Sequence, residues 1–109
     1  MASGLTVATT GKARSSVLPN APTSSEAGVP GYDAEAWYGL FAPAKTSPDI
    51  VDRLNKELLA LVNTDEVKKR IHAEGGDPMT SSPGEYTADI DQEERKWGAL
   101  IKKLNLKVE

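Results

Sequence analysis

The chain has 109 residues, a formal net charge of −3, 39% hydrophobic and 27% charged residues, and no cysteine. That length suits one small domain with a modest core, the hydrophobic and charged fractions argue against disorder throughout, and the charge balance implies no broad phosphate-binding face, so no nucleic-acid partner is expected. Without cysteine there is neither a disulfide nor a thiolate metal site.

At the N-terminus, MASGLTVATTGKARSS lacks an apolar run behind a basic start and does not read as a secretory signal. Gly4 to Thr10 sets Leu5, Val7 and Thr9 on one side and threonines on the other, which predicts a strand. Gly11 to Ser16 breaks that pattern and reads as a solvated turn. Leu18 to Tyr32 holds Pro19, Pro22, Gly28, Pro30 and Gly31, so no long regular element passes through it. Within it Thr23 and Glu26 have the spacing of a capping box, which predicts one helical turn over Thr23 to Ala27. Capping accounts for Glu26 without giving its carboxylate a ligand to touch.

Trp37 to Ala42 is short, apolar and aromatic and stops at Pro43, which predicts a buried strand. Tyr32, Trp37, Tyr38 and Phe41 lie together here; core packing is their default role, and the wall of a binding cleft is the alternative. A helix follows over Pro48 to Asn63, with Thr46 or Ser47 as cap, proline where a missing N–H costs nothing, and Asp49 at the positive end of the dipole. Ile50, Val51, Leu54, Leu58, Leu61 and Val62 form its apolar stripe. Full burial of that stripe against a sheet would contribute on the order of 9 to 18 kcal/mol before chain entropy is subtracted.

Thr64 starts a second helix, Asp65 to Ala73, anchored by Val67 and Ile71, with Gly75 placed to take positive φ beyond its end. His72 has no serine, cysteine or carboxylate constellation near it in sequence, which argues against catalysis or metal binding. Gly75 to Ser81 is loop with a short extended piece at Pro78 to Thr80. Ser82, Pro83 and Glu85 announce a third helix, Pro83 to Leu104, with Tyr86, Ile90, Trp97, Leu100, Ile101 and Leu104 on one stripe and Gly98 a weak point. Leu106 to Glu109 adds an extended tail.

No phosphate-binding loop, dinucleotide fingerprint, zinc-protease helix or nucleophile elbow is present. One histidine and no cysteine leave few candidates for acid–base work, and an enzyme using Glu26, Glu35 or His72 would rest on residue availability alone. No enzyme, metal or cofactor is expected.

The pattern LPNAPTSSEAGVPGYDAEAWYGLFAPAKTSPDIVDRLN (Leu18 to Asn55), the break at Gly75 and Gly76, and a last helix bearing Glu94 and Trp97 together resemble the C-terminal third of the substrate-binding receptors of tripartite tricarboxylate transporters, the Bug receptors. The resemblance implies an α/β fold, a fragment of a periplasmic-binding-protein (type II) fold with two or three short strands and three main helices, forming a single incomplete domain over residues 1–109. It implies an extracytoplasmic, periplasmic solute-binding role for small carboxylates, with membrane transporter subunits as partners. It places ligand contacts at Thr9, Thr10, Trp37 and Tyr38. The alternative is a chain without ligand function that self-associates through exposed apolar faces, and unpaired strand edges predict a homo-oligomer, a dimer in the simplest case.

Overall fold

In a computed structural model that describes residues 4–107, the second half of the chain forms helices α1 (Pro48–Val62), α2 (Asp65–Ala73) and α3 (Pro83–Leu104). Each begins where local chemistry places it. The Ser47 hydroxyl accepts the Ile50 N–H at 3.4 Å, and Thr64 accepts that of Val67 at 3.4 Å. At α3 the box is reciprocal, with Ser82 Oγ accepting the Glu85 N–H at 3.2 Å and Glu85 Oε2 accepting the Ser82 N–H at 2.7 Å. That second bond holds the Glu85 carboxyl below its ordinary value. Helix α1 stops one residue before the predicted end, because Asn63 caps it, sending both its backbone N–H (3.2 Å) and its side-chain amide (2.8 Å) to the Leu59 carbonyl. Gly75 follows α2 at φ 80°, and Asn105 closes α3 in the left-handed region at φ 51°.

Helix α1 touches both α2 and α3, and Asn55 Nδ2 donates to the Ser81 carbonyl at 3.0 Å. The predicted burial of the α1 stripe is not realised. Ile50, Leu54 and Leu61 remain 54%, 50% and 55% exposed, and no residue of any helix is fully buried. The physical reason is that the described residues form no sheet for this face to cover.

Among the described residues there is no β-ladder, only one isolated parallel bridge between Thr9 and Thr23. The strand expected over Gly4 to Thr10 therefore reduces to Thr9, whose N–H donates to Pro22 O at 2.9 Å and whose carbonyl accepts the Ser24 N–H at 2.8 Å. Leu5 and Val7 lie open to solvent. Ala21, Thr23 and Ser24, the buried residues among those described, lie at this crossing. The Thr23–Glu26 box forms as predicted, at 2.8 and 3.2 Å, and Ala27 N–H closes one turn onto Thr23 O before Gly28 leaves at φ 106°.

Trp37 to Ala42 is not a buried strand either. Residues 35–42 make no backbone–backbone hydrogen bond among the described residues, and Tyr38 and Leu40 are 96% and 74% exposed. Trp37 and Phe41 set their rings 5.5 and 5.6 Å from that of Tyr86 on α3, and Gly39 lies against the same ring, although Phe41 is still 72% exposed, much as Leu40 is. The residue pattern is that of a strand, and what is missing is a neighbour to ladder with. No strand forms at Pro78 to Thr80, and the tail called at Leu106 to Glu109 lies partly outside the described residues.

The result is an open molecule. Its radius of gyration is 17.2 Å, against about 13 Å for a compact chain of this length. Its accessible surface is 9387 Å², against about 5,900 Å² for a folded monomer of its mass.

Candidate functional site

The turn after Thr9 is stitched to the segment before Trp37. Thr10 Oγ1 donates to the Ala34 carbonyl at 2.6 Å, and Ala34 N–H returns to Thr10 O at 2.8 Å. Beside this pair the Lys12 N–H donates to Glu35 Oε1 at 3.1 Å. A backbone amide and a threonine hydroxyl thus sit side by side, and a carboxylate already occupies the amide.

The flanking charges are spoken for. Arg14 Nε and Nη2 reach the Glu26 carboxylate at 3.0 and 3.3 Å, and Nη1 donates to Pro19 O at 3.2 Å. The Arg14 guanidinium first, and the Thr23 N–H second, hold the Glu26 carboxyl below its usual value. Lys96 Nζ donates to Asp33 O at 2.6 Å and to Asp33 Oδ2 at 2.9 Å, which lowers Asp33 and raises Lys96 from their ordinary values. This pair ties α3 to the turn that precedes Ala34.

His72 is less isolated than the sequence suggests. Ser16 Oγ donates to Asp77 Oδ1 and lies 3.4 Å from His72 Nδ1, with Asp77 Oδ1 3.8 Å from the same nitrogen. A nucleophilic relay needs the hydroxyl and the carboxylate on opposite ring nitrogens. Here both face Nδ1, so the trio ties the Gly11–Ser16 turn to the end of α2 without the geometry to activate a serine. Sequence spacing could not reveal it, since the three residues are brought together only by the chain's path. Among the described residues no three His, Cys, Asp or Glu side chains gather as a metal cluster.

Of the residues singled out as ligand contacts, Thr9 and Thr10 stand at this junction. Thr9 gives its backbone to the bridge and its hydroxyl lies 3.5 Å from Pro22 O, while the Thr10 hydroxyl is bonded to Ala34. Trp37 faces Tyr86 and is 40% exposed, whereas Tyr38 projects into solvent from the opposite side of its segment. The structure brings the two threonines together and sets the two aromatics on opposite faces.

Residues 4–106 match the family model for the tripartite tricarboxylate transporter family receptor. The chain belongs to this receptor family. Protein BugT of Bordetella pertussis is 27% identical over 95 residues, which is 87% of this chain and 29% of that protein. A UPF0065 protein in the clcB-clcD intergenic region of Pseudomonas knackmussii is 34% identical over 85 residues, 77% of this chain and 50% of that one. Among solved structures, R. palustris Rpa4515 with adipate superposes with a TM-score of 0.76 at 32% identity, covering 87% of this chain and 32% of its own. The fold is thus periplasmic-binding-protein-like, and the family is one of receptors rather than enzymes. The chain spans a third or less of BugT and Rpa4515 and half of the Pseudomonas knackmussii relative.

Proposed function

We propose that this chain supplies part of a periplasmic solute-binding receptor for small carboxylates that delivers its ligand to a tripartite tricarboxylate transporter in the membrane. The observation that carries the reading is the likeness of its backbone to a chain whose structure holds adipate. The junction of Thr10, Lys12 and Glu35 supports it chemically, because a carboxylate is held by backbone N–H groups and hydroxyls, and the Lys12 N–H already donates to the Glu35 carboxylate. Ligand contacts are assigned to Thr9, Thr10, Trp37 and Tyr38, with residues 1–109 forming one incomplete domain of the receptor. For a ligand to enter, Thr10 exchanges the Ala34 carbonyl for the incoming carboxylate and Glu35 releases Lys12.

Calorimetric titration with adipate, citrate, succinate and aspartate tests the reading. Binding of at least one, with amide shifts at Thr9 to Lys12 and at Trp37 and Tyr38, is the expected result. Shifts confined to α3 would overturn the placement of the site. Absence of heat with every ligand would overturn carboxylate binding by this chain.

A further inference from the structure

Asp33, Ala34 and Glu35 are tied down one after another. Asp33 is held by Lys96 Nζ at 2.6 and 2.9 Å, Ala34 exchanges two hydrogen bonds with Thr10, and Glu35 Oε1 then accepts the Lys12 N–H at 3.1 Å. The two anchors before it fix the backbone that carries Glu35, so its carboxylate is laid onto the Gly11–Lys12 turn. Gly11 leaves the room. A Cβ there would stand 2.9 Å from Glu35 Oε1 and 3.7 Å from its carboxyl carbon, and Gly11 is not among the glycines with positive φ, so the position requires close approach and not an unusual backbone. Glu35 is exposed, and among the described residues its carboxylate has this single hydrogen bond and no ion pair. Glu26, by contrast, is held by both the Arg14 guanidinium and the Thr23 N–H.

We propose that Glu35 is a built-in occupant of the carboxylate site, standing in for the end of a ligand and competing with it for the Gly11–Lys12 turn. This rests on the carboxylate-receptor reading and deepens it by naming the group the turn takes. A glutamate side chain ends in a carboxylate on a methylene stem, so the matching ligand is the terminal, unhindered carboxylate of an aliphatic acid. One of its oxygens takes the Lys12 N–H and its carbon lies against Gly11. The Thr10 hydroxyl, which donates to Ala34 O at 2.6 Å, becomes the second donor once the Ala34–Glu35 segment lifts. A single exposed hydrogen bond is a light latch and exchanges readily. Its effect on binding is still measurable, because a site free for only a tenth to a third of the time loses about three- to ten-fold in apparent affinity.

Glu35→Ala removes a group the size of acetate, so acetate is the probe. In proton–nitrogen correlation spectra at constant ionic strength, the Lys12 amide of the variant should move upfield from its wild-type position and return as acetate is added. The amides of Thr10 to Lys12 should titrate at about three- to ten-fold lower acetate in Glu35→Ala than in the wild-type chain. Glu35→Gln keeps an oxygen to accept the same N–H but carries no charge, so it should gain less than Glu35→Ala. Adding Gly11→Ala to Glu35→Ala, which fills the space the carboxylate needs, should abolish the acetate shifts. A Lys12 amide that does not move in Glu35→Ala overturns the contact, and equal acetate midpoints in the variant and the wild-type chain overturn the competition. An equal gain in Glu35→Gln assigns the effect to charge repulsion and overturns occupancy. The dicarboxylate titration fails or succeeds separately. Dicarboxylate heat with equal acetate midpoints keeps the receptor reading and overturns this one, whereas acetate return without dicarboxylate heat supports Glu35 as occupant and overturns the receptor reading.

Discussion

Gly39→Ala probes the contact that holds the first half of the chain against α3. A Cβ at position 39 would lie 2.7 Å from Tyr86 Cε1 and closer still to the ring's Cζ and hydroxyl oxygen. Ordinary contact needs more than about 3.4 Å, so the ring must withdraw by roughly 1 Å, and it is flanked by Trp37 and Phe41 at centroid distances of 5.5 and 5.6 Å. Overpacking of this kind costs about 1–3 kcal/mol. Gly39 is not among the positive-φ glycines, so alanine also recovers about 0.4–1 kcal/mol by restricting the unfolded chain. The net expectation is a loss of about 1–2 kcal/mol, read from urea unfolding by far-ultraviolet ellipticity at fixed chain concentration. In a Tyr86→Ala background the same substitution should become neutral or mildly stabilising, since nothing remains to clash with. The double-mutant cycle isolates that coupling. Equal effects in the two backgrounds would refute the packing of Gly39 on Tyr86.

Ser82→Ala removes one half of the α3 capping box and should cost about 1 kcal/mol, within a usual range of 0.5–2 kcal/mol; an unchanged urea midpoint would mean the box contributes nothing in solution. The carboxyls of Glu26 and Glu85 lie below their ordinary value of 4.5, and that of Asp33 below 3.8. Their stabilisation is therefore fully present above those values and is lost as pH falls through the lower folded-state values. Lys96, raised above 10.5 by Asp33, keeps its contribution through neutral pH and loses it only in strong alkali. The urea midpoint should stay level from pH 7 to about 5 and then decline, and a midpoint that climbs on acidification to pH 3 contradicts the pairings.

Helices were legible because their punctuation is local. Ser47, Thr64 and Ser82 each bind an N–H three residues on, so α2 and α3 fall within the ranges predicted and α1 differs only where Asn63 caps instead of continuing. The same locality explains the Thr23–Glu26 box. A strand is a different kind of statement. Trp37 to Ala42 carries the strand signal in its own residues, yet its ladder depends on a neighbour that no nearby residue announces. Leu5 and Val7 are exposed for the same reason. At the candidate site, Thr9 and Thr10 were reached only through the family resemblance, not through any local pattern. The Glu35–Lys12 bond was not legible, nor was the meeting of Ser16 with His72 and Asp77, because these join parts of the chain separated by 23, 56 and 61 residues.

The openness of the chain has a thermal consequence. Fully unfolded, a chain of 11.7 kDa exposes about 17,000 Å². With 9387 Å² still exposed after folding, it hides about 45% of its surface, where a compact domain of this size hides about 65%. The heat capacity of unfolding follows the surface uncovered, so the roughly 1.3–1.6 kcal/mol/K usual for this length falls to about 1 kcal/mol/K if apolar and polar surface shrink in proportion. A lone chain would then have a shallow stability curve, changing little between refrigerator and body temperature, and a broad melting transition. Any partner that covers the apolar sides of α1 and the Trp37–Ala42 run would steepen both together, which makes the width of the melt a direct readout of whether those faces are covered.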